Sequence, residues 1–188
     1  MLDAPQSPGD DDLNPEISRI AAGLTQAAVL VPVVAGMPLT LLLTERTGHL
    51  SAHAGQIAFP GGKVETDDAD PLAAALREAR EEIALDPEFV HPLGYLEPYR
   101  TGTGFIITPA VALVRPGFTL TPDPAEVADV FEVPLAFLMN EANHRIDSRP
   151  WRGAERRFYA MPYGERYIWG ATAGMLQRLA QQLADDPG

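Results

Sequence analysis

The chain reads as one mixed α/β domain. Three observations predict that class: β-rich apolar runs alternate with helix-periodic segments, no internal repeat divides the 188 residues, and 46% of them are hydrophobic. That length suits a single domain, and that content suits a sizeable core.

The elements follow in order. Residues 1–13 hold Pro5, Pro8, Gly9 and Asp10–Asp12, cannot bury apolar area, and are expected to be a disordered acidic tail. The domain is then placed at residues 14–188. Asn14-Pro15 supplies an N-cap and a proline at the first helical position, predicting a short helix to about Ala22. Ala27–Val34 and Leu39–Thr44 are strand runs parted by the Gly36-Met37-Pro38 turn. Asp70-Pro71 opens a helix reaching about Leu85, with Leu72, Ala75, Leu76, Ala79 and Ile83 along one face. Val90–Pro98, Phe105–Val114 and Val127–Val133 are further strands, and Pro134–Asn140 is a short helix. Arg157–Pro162 and Arg166–Trp169 flank Tyr163-Gly164-Glu165 as a hairpin. A last helix, about Ala171 to Ala184, carries the stripe Met175, Leu176, Leu179 and Leu183, which is expected to face the core.

Composition narrows the function. A net charge of −12 disfavours nucleic acid and anionic membranes as partners, because both reward positive charge. It leaves room for a small anionic ligand held through a metal ion. With no cysteine, disulfides, thiolate metal sites and cysteine nucleophiles are excluded. Lys63 is the only lysine, against thirteen arginines, and neither a Schiff-base nor a Walker pattern surrounds it. The polar N-terminus lacks the order of a signal peptide, and the longest apolar run, Ala27 to Val34, is far short of the roughly 20 residues of a membrane span. A cytoplasmic location is expected, and a homodimer is compatible with the chain.

The charged side of the Asp70–Leu85 helix is the most informative feature. Glu78 and Glu82 are four residues apart and Glu78 and Glu81 three, so three carboxylates gather in one small area. Like charges at these spacings cost an isolated helix about 0.2–0.5 kcal/mol per pair. Arg77 offsets Glu81, whereas Glu78 has no such partner one turn away. A hard divalent cation would resolve the conflict, since Mg²⁺ takes carboxylate oxygens and completes its shell with water and substrate phosphate; a solvated acidic face is the alternative. The preceding Gly61-Gly62 lets backbone approach a ligand closely.

Together these residues resemble the box of the Nudix hydrolases. Arg77-Glu78-Ala79-Arg80-Glu81-Glu82-Ile83-Ala84-Leu85 matches its second half, with Ala84 in place of a glycine. Six positions after Gly62 stands Asp68 where the pattern has glutamate, and eight residues then precede Arg77, one more than the general form. The acid that meets Arg77 is therefore Asp67, Asp68 or Asp70. Upstream, Leu42-Leu43-Thr44-Glu45-Arg46 and Leu50-Ser51-Ala52-His53-Ala54-Gly55-Gln56-Ile57-Ala58-Phe59-Pro60-Gly61-Gly62 resemble the signature of the coenzyme A diphosphatase branch. Thr103–Pro109, Val130–Leu135 and Ile168–Ala173 look like that branch's later segments. The resemblance implies a Nudix fold, a mixed β-sheet sandwiched between helices. It also implies hydrolysis of the pyrophosphate of coenzyme A or a derivative to 4′-phosphopantetheine and adenosine 3′,5′-bisphosphate, with Mg²⁺ or Mn²⁺ as cofactor.

On that resemblance Glu78 and Glu82 are expected as metal ligands, Glu81 as ligand or water-positioning acid, and the Gly62 carbonyl as a further ligand. Arg77 would orient the glutamates, and Glu126, on a loop before a strand, is a candidate general base. Arg46, His53, Gln56, Gly61 and Gly62 are candidate substrate contacts. Between His144 and Phe158 the local charge is +3, so Arg149 and Arg152 are candidate contacts for the ribose 3′-phosphate, within a segment otherwise read as a surface loop. The rival readings are a Nudix hydrolase of another nucleoside diphosphate derivative, such as NADH or ADP-ribose, and a non-catalytic Nudix-fold binding module.

Overall fold

The computed structural model describes residues 9–15, 23–48, 55–151 and 153–185. Its centre is β1 (Thr25–Val34), an almost continuous apolar run buried on both faces. Two β-branched or aliphatic sets alternate along it. Ala28, Leu30 and Val34 pack toward the helix α1 (Pro71–Ile83), and Val29, Val31 and Val33 point the other way. This period-two division makes one strand the wall between two cores.

β2 (Thr40–Arg46), the short β3 (Ile57–Ala58) and β4 (Gly61–Lys63) lie in the same sheet as β5 (Val90–Tyr95), β6 (Tyr99–Arg100), β7 (Phe105–Val114) and β8 (Val127–Pro134). The path runs β3-β2-β1-β7-β5, with β4 also paired to β1, β6 to β7 and β8 to β2. β1 and β7 are parallel and in register from Thr25↔Phe105 to Val34↔Val114, whereas the other pairings are antiparallel, so the sheet is mixed. α1 covers one face through Ala74, Ala75, Ala79 and Ile83. The other face meets α2 (Leu135–Met139), α3 (Ala171–Asp185) and a separate three-stranded sheet of β9 (Arg145–Trp151), β10 (Ala154–Tyr163) and β11 (Arg166–Trp169). The expected α/β architecture, a mixed sheet between helices, is the one observed.

Several expectations need correction. The arginine-rich segment is no loop: Arg145–Trp151 pairs along its whole length with β10. Gly61–Lys63, for which no strand is expected, is strand β4 against Ala27–Val29. Leu183 of the expected stripe is 55% exposed, while Met175, Leu176 and Leu179 are buried. The expected disorder does not extend to Gly9–Asp12. Asp10–Asp12 forms one 3₁₀ turn, Gly9 bridges Arg100, and Asp10 is buried. Asn14 is buried too, and its side chain donates to the carbonyls of Asp10 (2.7 Å) and Arg157 (2.9 Å) and accepts from Arg157 N (2.7 Å). The helix expected after Asn14 lies, from residue 16 to 22, outside the described residues.

Candidate active site

α1 begins as its sequence dictates. Asp70 accepts a hydrogen bond from Ala73 N at 2.8 Å, Pro71 occupies the first turn, and the helix ends at Ala84 in the left-handed region (φ 55°). The apolar face fixes the rotation of the helix, and that rotation directs Glu78 and Glu82 toward β4.

Glu82 is 4% exposed. One of its oxygens accepts from Gly61 N at 3.1 Å, and the other lies 3.7 Å from Arg46 Nη1 at the end of β2. Burial nevertheless dominates and pushes its carboxyl up to about 7, with Glu78 and Glu126 acting in the same direction and the Gly61 amide and Arg46 opposing. Glu78 is also raised, by burial first and by Glu81 and Glu126, against the pull of Arg77. Glu126 is exposed, yet its charge is felt at both glutamates. Its loop is tied there by Asp123 N to Glu82 O (2.8 Å) and Thr47 N to Glu126 O (3.0 Å).

The glycine pair is required by space. A Cβ on Gly62 would stand 2.4 Å from Glu78 Oε1, and one on Gly61 would stand 2.4 Å from Ala28 O and 2.6 Å from Val29 Cα. Gly61 thus lets β4 lie close on β1, and Gly62 leaves room for the Glu78 carboxylate.

Arg77 organises the acids from the rim. It binds Asp68 with two arms, Nε to Oδ1 at 3.1 Å and Nη2 to Oδ2 at 3.0 Å, and donates to Glu78 (3.1 Å), Glu81 (3.2 Å) and the Lys63 carbonyl (3.1 Å). Of the three candidate acids, Asp68 is the partner. That pairing holds the Asp68 carboxyl below its ordinary range and raises Arg77.

Among the described residues no three acids close into a ready cage: Glu81 is turned to Arg77 and Glu82 to Gly61. The donor set is still that of a hard divalent cation. A buried carboxylate with raised affinity for its proton, beside a second one fitted against a glycine, is a group that a cation would relieve.

A cavity of about 510 Å³ adjoins this corner. Gly61, Gly62, Arg46 and Gln56 line one part of it, and Trp151, Arg149 and Trp169 line another. Arg46 Nε is buried there with no hydrogen-bond partner among the described residues. The structure therefore brings together Arg46, Gln56, Gly61, Gly62, Arg77, Glu78, Glu81, Glu82 and Glu126 around one corner, with Arg149 in the wall of the adjoining cavity. His53 and Arg152 lie outside the described residues. Residue patterns missed Trp151, Trp169, Arg156 and Asp10 as part of the cavity wall. The first three carry the positive charge and aromatic side chains of the hairpin; Asp10 had no local signal.

Comparison with known proteins gives a consistent result. The NUDIX domain family model matches residues 24–152. A Cronobacter sakazakii protein named uncharacterized Nudix hydrolase NudL is 43% identical over 175 residues, 93% of this chain and 91% of the relative. Its Escherichia coli K12 namesake is 41% identical over the same shares. The fold is similar to that of RenU, a Mycobacterium smegmatis Nudix hydrolase (TM-score 0.58, 20% identity, 88% and 89% of the two chains). It is also similar to the NUDIX domain of Shewanella oneidensis NrtR complexed with ADP ribose (TM-score 0.53, 18% identity, 85% and 88%).

Proposed function

The chain belongs to the Nudix family and is a hydrolase of phosphoric anhydrides, and from that premise we propose that its substrate is coenzyme A or a derivative of it. The supporting observation is the continuity of the cavity, which joins the glycine pair beside the glutamates to a wall of arginine and tryptophan. A pyrophosphate seated at the glycine pair would leave its adenine nucleotide along that wall, where indole and guanidinium surfaces suit a purine and its phosphate. The mostly apolar remainder suits a pantetheine arm. The upstream signature through Arg46 and Gln56 supports the same substrate.

Nudix hydrolases generally use divalent cations, and here Mg²⁺ or Mn²⁺ would be held by Glu78 and Glu82, with Glu81 and the Gly62 carbonyl as further donors. When bound, the cation offsets phosphate charge and makes a water more acidic. The protein's own groups prepare that reaction. Gly61 N–H and Arg46 position Glu82, Arg77 positions Glu78 and Glu81, and Arg46 offers the open part of its guanidinium to a phosphate oxygen. Glu126, exposed on its loop, accepts the proton of the attacking water. Oxygen from that water joins one phosphorus while the bridging oxygen departs with the other phosphate. The setting for this chemistry is the cytoplasm, where coenzyme A is available to a soluble enzyme.

The test is product analysis on coenzyme A, acyl-coenzyme A, NADH and ADP-ribose with Mg²⁺ or Mn²⁺. Release of 4′-phosphopantetheine and adenosine 3′,5′-bisphosphate is expected. Rapid cleavage of another compound, with every coenzyme A species left intact, overturns the assignment.

A further inference from the structure

The three-stranded sheet places a charge conflict inside the cavity. Arg149 of β9 stands directly opposite Arg156 of β10 in the antiparallel register, and like charges so placed repel. Asp10 resolves one half of the conflict. Its carboxylate pairs with the Arg156 guanidinium and also accepts from Tyr99 Oη at 3.1 Å and Gly102 N at 2.7 Å. With three donors fastened to it and 8% exposure, that carboxylate is committed.

The other half is left open. Arg149 lies 4.0 Å over the Trp169 ring and 5.7 Å from the Phe158 ring, and it has no acidic partner among the described residues. Its pKa is lowered, by partial desolvation first and then by Arg156. A guanidinium with a carboxylate beside it shifts the other way. A cation seated on an indole in a cavity wall, with its charge uncompensated, is complementary to an anion of the ligand. The pyrophosphate belongs at the glycine pair, so the anion at Arg149 is a separate one. Trp169 and Trp151 lie beside it, and they suit a purine neighbour.

We propose that Arg149 receives a phosphate monoester on the ribose of an adenine nucleotide, and that Asp10 confines this role to Arg149 by holding Arg156. The proposal rests on the reading of the cavity as a nucleotide site. It adds the group that discriminates a ribose-phosphorylated ligand from its unphosphorylated form. Asp10 lies outside residues 24–152 matched by the family model, so the N-terminal segment becomes a positioning part of the site. A 2′- and a 3′-phosphate share this chemistry and must be separated by experiment.

The experiment is calorimetric binding of adenosine 3′,5′-bisphosphate, adenosine 2′,5′-bisphosphate and AMP to the full chain. The wild type is expected to bind the 3′,5′-bisphosphate at least about tenfold more tightly than AMP, the size of effect a charge-assisted pair supplies. Arg149→Gln should cut that preference to about twofold, and Arg149→Lys should fall between, because an ammonium keeps charge but loses the fork. In the Asp10→Asn background Arg156 is released, so Arg149→Gln should there retain more of the preference than it does alone, and an equal loss overturns the part given to Asp10. A preference retained in Arg149→Gln, or absent from the wild type, overturns the proposal. A preference lost in Arg156→Gln but kept in Arg149→Gln makes Arg156 the reader and overturns it equally. Arg149 is exposed, so its variants fold and decide the matter even where the buried pair does not tolerate change. If the 2′,5′-bisphosphate binds best with the same Arg149 dependence, the subsite stands and the coenzyme A assignment falls.

Discussion

Arg77 holds Asp68 by both arms of its guanidinium, at 3.1 and 3.0 Å, across the extra residue that lengthens the loop before α1. Asp68 in turn accepts from Glu65 N at 2.8 Å, so one carboxylate closes the loop and anchors the arginine that orients two glutamates. A shorter acid on a longer loop reaches the same partner that a glutamate would reach from the general spacing. Asp68→Ala is therefore expected to lower kcat/KM by about 10–100-fold, the range for losing an outer partner of a metal-binding group, the role proposed for Glu78 and Glu81. Steady-state kinetics alongside a thermal melt will check it, and unaltered kcat/KM in a folded variant would show that Arg77 needs no such anchor.

The two glycines should respond differently to one added methyl. Gly62→Ala meets the far end of the Glu78 side chain, whereas Gly61→Ala meets Ala28 O and Val29 Cα, which are backbone. Gly62→Ala should leave the melting temperature within a few degrees and reduce activity at least about tenfold by displacing the Glu78 carboxylate, proposed above as a metal donor. Gly61→Ala should destabilise the fold by about 1–3 kcal/mol, as overpacking does. Equal stability loss in both variants would contradict the close approach of β4 to β1.

Glu82 gives a pH dependence with a definite sign. Its carboxyl in the metal-free fold titrates at about 7 against an ordinary 4.5, so between those values the native state holds a proton that the unfolded chain has released. Stability of the metal-free protein thus declines as pH rises from about 4.5 through about 7. Glu82→Gln removes the ionisation and keeps an acceptor for Gly61 N. In EDTA it should match the parent near pH 4 and exceed it at pH 8 by on the order of 1–3 kcal/mol. Turnover should be lost in the same variant, and Mg²⁺ should stabilise only the parent. Urea titrations at the two pH values measure this, and parallel curves would refute it.

Ala84 adopts φ 55°, ψ 31° as the cap of α1, a conformation that costs a non-glycine residue roughly 1–2 kcal/mol. Ala84→Gly should raise stability by about 1 kcal/mol after the entropy that glycine adds to the unfolded chain. Activity should be unchanged, since Ala84 is exposed and glycine keeps the backbone conformation that follows Glu82 two residues before it. Differential scanning calorimetry tests it, and a lower melting temperature would count against the capping account.

The elements legible in the sequence are those whose periodicity is set by their own burial. β1, β7 and α1 carry long regular patterns because each packs an apolar face along its whole length. β9 is nearly all exposed and carries Arg145, Asp147, Arg149 and Pro150, so its strand character comes from its pairing with β10 and from no pattern of its own. β4 is too short and too rich in glycine to signal a strand. The acids of α1 were legible because their spacing is a local conflict, and local conflicts are visible without a fold. Asp10 was not, since an aspartate in a Pro- and Asp-rich stretch looks solvated until Arg156, Tyr99 and Gly102 converge on it from distant positions.

The chain has two tryptophans, Trp151 and Trp169, and both line the same cavity. Its tryptophan fluorescence, excited apart from tyrosine, is therefore an optical reporter of that cavity. A guanidinium 4.0 Å from one indole makes the emission sensitive to whatever displaces or neutralises it. A denaturation curve followed by that light records the loss of the cavity wall, and a curve followed by far-ultraviolet dichroism records the loss of the fold. The two signals can part company, and where they do, the hairpin is loosening ahead of the sheet that supports the glutamate helix.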